Sequence, residues 1–315
     1  MCVPRLWLVL AFFFAFSLRS ATPSLAQVSA CAPSAQAATG EQALEIEVDG
    51  LVRRYLLYVP PSLDLTQPSP LLFSLHGFTS NMRQQKAWDD YDRLADENGF
   101  IVVWGQGEGV PPRWNAGSAR FAVEDDLMDM RYIETLIDHL SRVYCVDAAR
   151  IYASGFSNGG GMAYRLACQM ADRIAAIATM SGAFAPLDCQ PSRPVPVLAV
   201  HGTTDPVVRY NGMISPVGST PGVEAWVAAW AERNGCQSGP ISTPGSTPQT
   251  TVIAYTDCDN EANVQLYRVE GGGHTWFGSQ PRDQYPAFVV GNHVTDLDAS
   301  AIMWAFFSQH SLPQD

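Results

Sequence analysis

Gly155-Phe156-Ser157-Asn158-Gly159 sets a serine between two glycines, each two residues away. The pattern G-x-S-x-G belongs to a sharp strand-to-helix turn that lifts a serine hydroxyl clear of the chain. Such a turn strains the φ/ψ of its serine, so the neighbours two residues away must lack bulk. Gly155 and Gly159 meet that need, and Gly160 and Gly161 let the helix start lie close to a sheet. The pentapeptide alone is a weak signal, because a Gly-rich turn with no chemistry has the same composition. Its flanks strengthen it: Arg150 to Ser154 reads as a strand, and Asn158 to Met170 as a helix.

A neutral hydroxyl needs a base. Where this elbow is used, the triad runs nucleophile, acid, histidine along the chain. Of six histidines, His139 falls within a helix, His310 near the end of the chain, and His76 too early. His201 precedes a glycine at a strand end, and His293 is the rival, in a loop before the last helix. His274 follows a late strand, 264–269, through Gly271-Gly272-Gly273, and is the expected base. Asp205, in His201-Gly-Thr-Thr-Asp-Pro206 after an apolar strand, is the expected acid; Pro206 favours an extended backbone at Asp205. Asp188, Asp257 and Asp259 have poorer settings, and a turn-forming role is the plainer alternative for Asp205.

A tetrahedral oxyanion needs two backbone N–H donors. Asn158, at a helix N-terminus, should supply one, and the loop His76-Gly77-Phe78-Thr79 the other. Phe78 is the first choice there and Thr79 the next, which leaves His76 a structural hydrogen-bonding role. Trp276, Trp114 and Thr79 are the expected substrate-binding residues. Glu124-Asp125-Asp126 suggests a metal site at first sight, but acids at a helix start favour the helix dipole, and capping is the better reading.

These residues need elements to position them. Leu44–Val48 and Arg54–Val59 read as a hairpin around Asp49-Gly50. Strand signals follow at 71–75, 100–104, 150–154, 174–180, 195–200, 251–255 and 264–269. Helical spacing marks 84–98, 125–144, 158–170 and 223–233, and a last helix opens at Thr295 with Asp298 as a capping-box-like partner. Gln237 to Thr250 reads as a Ser/Pro/Gly/Thr loop. Alternating strands and helices imply an α/β fold: one domain, a mostly parallel sheet with helices on both faces.

With 315 residues, 47% hydrophobic, the chain can bury one large core. Arg5, the apolar run Leu6–Phe16 and the small residues ending Ser24-Leu25-Ala26 read as a signal peptide over 1–26. An N-terminal extension, 27–43, and the folded domain, 44–312, follow. Val28-Ser29-Ala30-Cys31 resembles a lipoprotein cleavage box, so a lipid anchor at Cys31 is the one membrane attachment considered. Losing Arg5 and Arg19 with the leader takes the formal charge from −12 to −14, which argues against nucleic acid or anionic lipid as partner. Six of the seven cysteines remain after the leader, an even number that suggests disulfides in an exported chain. Cys236–Cys258 would close the 237–250 loop; among Cys31, Cys145, Cys168 and Cys189, the pair Cys168–Cys189 is preferred. No CxxC spacing points to zinc.

Leu75-His-Gly-Phe78, Gly155–Ala163, His201–Val208 and Glu270-Gly-Gly-Gly-His-Thr-Trp276 together resemble the polyhydroxybutyrate depolymerase / feruloyl esterase family, over about residues 41–310. The resemblance implies an α/β-hydrolase fold, secretion, a serine triad on Ser157, Asp205 and His274, and no cofactor or metal. The expected partner is an ester substrate, either a feruloyl or acetyl side-chain ester of plant polysaccharide or a hydroxyalkanoate ester. Phe277 departs from the family, where a proline is frequent. The alternatives are a peptidase or acyltransferase on the same triad, or an inactive surface binding protein of the same fold.

Overall fold

The alternating residues of β1 (Gly40–Val48) form a hairpin with β2 (Leu51–Val59). Asp49 and Gly50 at its tip both have positive φ, 52° and 79°, as a tight two-residue hairpin turn requires. The protein is described by a computed structural model over residues 32–117, 127–182, 189–215, 218–280 and 285–313. The leader, Cys31 and Glu124-Asp125-Asp126 lie outside the described residues.

Continuous apolar runs, buried on both faces, give the inner strands: β3 (Ser69–Leu75), β4 (Ile101–Gly105), the C-terminal half of β5 (Val146–Phe156), β6 (Ala176–Met180) and β7 (Val197–Gly202). Helices α1 (Met82–Asp89), α2 (Tyr91–Asn98), α3 (Met128–Val143) and α4 (Asn158–Gln169) connect them. A small hairpin, β8 (Met213–Ser215) with β9 (Gly218–Thr220), precedes α5 (Val223–Arg233). Then come β10 (Ser238–Pro244), β11 (Thr250–Thr256), β12 (Val264–Val269), α6 (Ala287–Val290) and α7 (Ala299–Phe307).

The ten-stranded sheet runs β1-β2-β4-β3-β5-β6-β7-β12-β11-β10. The six strands from β4 to β12 are mutually parallel, and the two at each end are antiparallel. Side chains alternate across the sheet, so adjacent residues enter different cores. Phe73 joins α3, α4 and α5 on one face, and Leu72 joins α1, α2 and α7 on the other. Burying a side chain such as Phe73 completely contributes roughly 1.5–3 kcal/mol. This is the α/β fold expected, with helices on both faces.

Four readings of the sequence change. The helix expected over 84–98 is two helices, because Asp90 adopts φ 50°. Asp89 turns inward there, accepting from Ser74 Oγ (2.5 Å), Gln85 Nε2 (3.1 Å), Trp104 Nε1 (2.9 Å) and the Tyr91 N–H (3.3 Å). Burial pushes its carboxyl up to about 7 against those donors. The last helix starts at Ala299, and Asp298 is its N-cap, accepting from the Ala301 N–H at 2.9 Å. The 237–250 segment contains β10, whose prolines are tolerated because it is an exposed edge strand. The short β8–β9 hairpin carries no alternation long enough to be read.

Cys236–Cys258 closes the base of the β10–β11 hairpin and Cys168–Cys189 ties the end of α4 to the segment before β7, as expected. Cys145 is also disulfide-bonded. Among the described residues no helix is long and apolar enough to cross a membrane.

Candidate active site

Ser157, Asp205 and His274 each follow the C-terminal end of a parallel strand, β5, β7 and β12 respectively. That edge is where open α/β sheets gather their sites. Ser157 has φ 54° and ψ −114°, a strained conformation for a side-chain-bearing residue. Backbone bonds hold it there: its N–H donates to Met180 O at 2.9 Å, and the Gly161 N–H donates to Ser157 O at 3.0 Å.

The turn is possible only because its glycines are bare. A Cβ on Gly159 would lie 2.1 Å from Leu75 O, and one on Gly155 2.3 Å from the Gly159 carbonyl. Both obstacles are backbone, which cannot swing aside. Gly159→Ala should therefore cost about 3 kcal/mol or more of stability, read as a fall in the urea midpoint. An unchanged midpoint would contradict this packing.

Asp205 and His274 meet as a pair, with His274 Nδ1 donating to Asp205 Oδ2 at 2.7 Å. This fixes the neutral tautomer with its lone pair on Nε2. Asp205 Oδ1 accepts from the Val207 and Val208 N–H groups, both at 2.8 Å. His201 Nε2 donates to Val208 O at 2.8 Å and lies 3.4 Å from Asp205 Oδ2. Burial alone would raise the Asp205 pKa, but the bonds and charges of His201 and His274 outweigh it and hold the carboxyl well below the usual range.

The acid and base loops are stitched together. Thr204 N–H and Oγ1 both donate to Gly272 O at 3.0 Å, and the Gly271 N–H donates to Thr203 Oγ1 at 2.9 Å. The His274 N–H donates to Val290 O at 2.6 Å, which ties the base to α6.

The loop after β3 is fixed just as firmly. His76 is fully buried; its Nδ1 donates to Gly77 O (2.8 Å) and its Nε2 accepts from the Gly107 N–H (2.9 Å). Burial pulls its pKa down to about 4, so the ring is a neutral structural bridge at neutral pH. The Thr79 N–H donates to Pro112 O at 3.0 Å and is thereby engaged. Asn158 opens α4, where the N-terminal N–H groups carry the positive end of the helix dipole.

Ser157 and His274 line one cleft of about 200 Å³ with Gly77, Phe78, Thr79, Ser80, Phe156, Val207, Tyr285, Val289 and Val290. Thr79 Oγ1 and Tyr285 Oη share a 3.0 Å hydrogen bond beside it. A larger cavity, about 700 Å³, opens at the opposite edge near Ser69 and Arg150, away from the nucleophile and base candidates.

Thr79 is where the sequence puts it, on the cleft, but the two tryptophans are not. Trp276 is 1% exposed, packs against Tyr91 and Phe156, and donates Nε1 to Ser300 Oγ at 2.9 Å. Trp114 is wholly buried and donates Nε1 to His76 O at 3.0 Å. Neither lines the cleft; their polar ring edges are satisfied inside the fold. The walls are instead Val207, Tyr285, Val289 and Val290. The signal for the last three was Pro286 ahead of the apolar Ala287–Val290, a helix-start pattern in a stretch with no other periodicity.

A sequence model of the phospholipase/carboxylesterase family matches residues 119–215, which hold Ser157 and Asp205. The chain belongs to the esterases of the α/β-hydrolase fold. It is 32% identical to feruloyl esterase B of Piromyces equi over 70% of this chain and 42% of that protein. It is 30% identical to NocK of Nocardia uniformis subsp. tsuyamanensis, an esterase by name, over 78% of this chain and 76% of that protein. The chain thus spans less than half the length of the Piromyces protein. Among solved structures, an acetyl xylan esterase from Aspergillus awamori superposes with a TM-score of 0.56 at 17% identity, over 74% of this chain and 94% of that one. That likeness concerns the fold.

Proposed function

We propose that this chain is an exported serine carboxylic-ester hydrolase that removes feruloyl or acetyl side-chain esters from plant polysaccharide through an acyl-enzyme. The observation that carries this reading is the 2.7 Å Asp205–His274 pair opening onto the same cleft as the strained Ser157. His274 Nε2 takes the Ser157 proton as the hydroxyl attacks the ester carbonyl, and Asp205 stabilises the imidazolium. The N–H groups of Asn158 and Phe78 receive the oxyanion. His274 then protonates the leaving alcohol and activates water for deacylation. The chain carries this chemistry in one domain after a leader, and its disulfides suit an oxidising compartment.

The cleft supports an uncharged acyl group. Its described lining has no Lys or Arg, and its walls are mostly apolar. At about 200 Å³ it is smaller than the roughly 300–1,000 Å³ of pockets that enclose a drug-sized ligand. One acyl group fits inside while the sugar stays outside. The name of the Piromyces relative, a feruloyl esterase, supports the same class.

Release assays on methyl ferulate, acetylated xylan and hydroxybutyrate oligomers test this. One of the first two should exceed the oligomers in kcat/KM by at least tenfold. The reverse order would move the substrate to polyesters, and hydrolysis of peptide amides alone would overturn the esterase reading.

A further inference from the structure

The proposed oxyanion donors come from two elements that are not neighbours in sequence, the loop after β3 and the start of α4. Their spacing must match one oxygen atom to within a few tenths of an ångström for both bonds to strengthen together in the transition state. The Asn158 side chain faces the backbone of a third element. Its Oδ1 accepts from the Trp114 N–H at 2.7 Å, and its Nδ2 donates to Trp114 O at 3.0 Å. The Trp114 indole then reaches the other way, donating Nε1 to His76 O at 3.0 Å. Two residues earlier, Pro112 O receives the Thr79 N–H at 3.0 Å. Phe78 is therefore bracketed in sequence by His76 and Thr79, both bonded to the 112–114 segment.

The segment is itself held from outside. The Asn115 N–H donates to Asp129 Oδ2 at 2.7 Å, and Arg165 Nη1 donates to Asn115 O at 2.9 Å. Trp114 is 0% and Asn158 1% exposed, so these bonds form where water cannot replace them and each is costly to lose.

We propose that Trp114 is the strut of the oxyanion hole: bonded by its backbone to the Asn158 side chain and by its indole to the His76 carbonyl, it sets the separation of the Asn158 and Phe78 N–H donors. Trp114 is thus a positioning residue that touches no substrate. This inference rests on the serine-hydrolase reading of the same site.

The test uses the full chain and two substitutions. Trp114→Phe keeps an aromatic ring and the backbone bonds to Asn158 while deleting the indole donor, together with part of the buried ring. Asn158→Ala keeps the backbone N–H and deletes the clamp on Trp114. Each should lower kcat for p-nitrophenyl acetate by about 10- to 100-fold with KM changed less than threefold. Affinity for phenylboronic acid, whose serine adduct is tetrahedral, should fall by a similar factor. Because both act through one strut, the double variant should lose little more than the worse single one. Should one variant fail to fold, the other still reads kcat, KM and boronate affinity. Unchanged kcat and boronate affinity, or a loss confined to KM, would overturn the proposal. Activity persisting in Ser157→Ala would instead indict the underlying reading, so the two failures are distinguishable.

Discussion

Ser157→Ala should lower kcat for p-nitrophenyl acetate by about 10⁵-fold or more while the thermal midpoint moves only a few degrees. In the proposed mechanism the hydroxyl forms and breaks the acyl bond, and Ser157 lines the same cleft as the His274 that Asp205 holds. The fold should survive because the elbow is held by main-chain bonds, Ser157 N–H to Met180 O and Gly161 N–H to Ser157 O, which alanine keeps. Steady-state kinetics and a melting curve on the same preparation check both halves. A variant within a hundredfold of the parent would remove Ser157 from the chemistry.

Asp205→Asn should cost about 10³- to 10⁴-fold in kcat with KM little changed. The carboxylate accepts from His274 Nδ1 and so keeps the lone pair on Nε2. An asparagine that turns its amide to His274 donates instead, and the proton moves to the nitrogen that would accept from Ser157 in the proposed mechanism. The Val207 and Val208 N–H groups still find an oxygen in the variant, so the loop should hold.

Asp205 also links stability to pH. Its folded pKa is depressed below the ordinary carboxylate value of about 3.9. Its contribution is therefore present above about pH 4 and is lost as pH falls through the folded value. Acid unfolding followed by circular dichroism should show the parent losing its stability advantage over Asp205→Asn below about pH 4. An advantage that grows as the pH falls below about 4 would contradict the sign.

The strands that carry Ser157, Asp205 and His274 were legible because inner parallel strands are short apolar runs bounded by turn residues. The α/β class followed from their alternation with helices. The order of Ser157, Asp205 and His274 along the chain placed all three at one edge, since β5, β7 and β12 end there, and the Asp205–His274 contact follows. The tryptophans misled for a physical reason. A sequence shows that Trp276 lies two residues from His274, but not that its indole turns toward Ser300. Trp114 was expected on the substrate cleft, whereas its two-way bonds to Asn158 and His76 draw it inside. The break at Asp90 depended on Ser74, Gln85 and Trp104 converging on Asp89, contacts that helical periodicity does not record. The cleft walls Tyr285 and Val289 come from a stretch placed by tertiary packing rather than by a periodic pattern.

The most direct test of the central claim is to label the nucleophile covalently. The protein is treated with a fluorophosphonate, digested and mapped by mass spectrometry. One adduct is expected, on the peptide bearing Ser157, absent in Ser157→Ala and formed far more slowly in Asp205→Asn. A stoichiometric adduct on another residue, or none while ester hydrolysis proceeds, would contradict it.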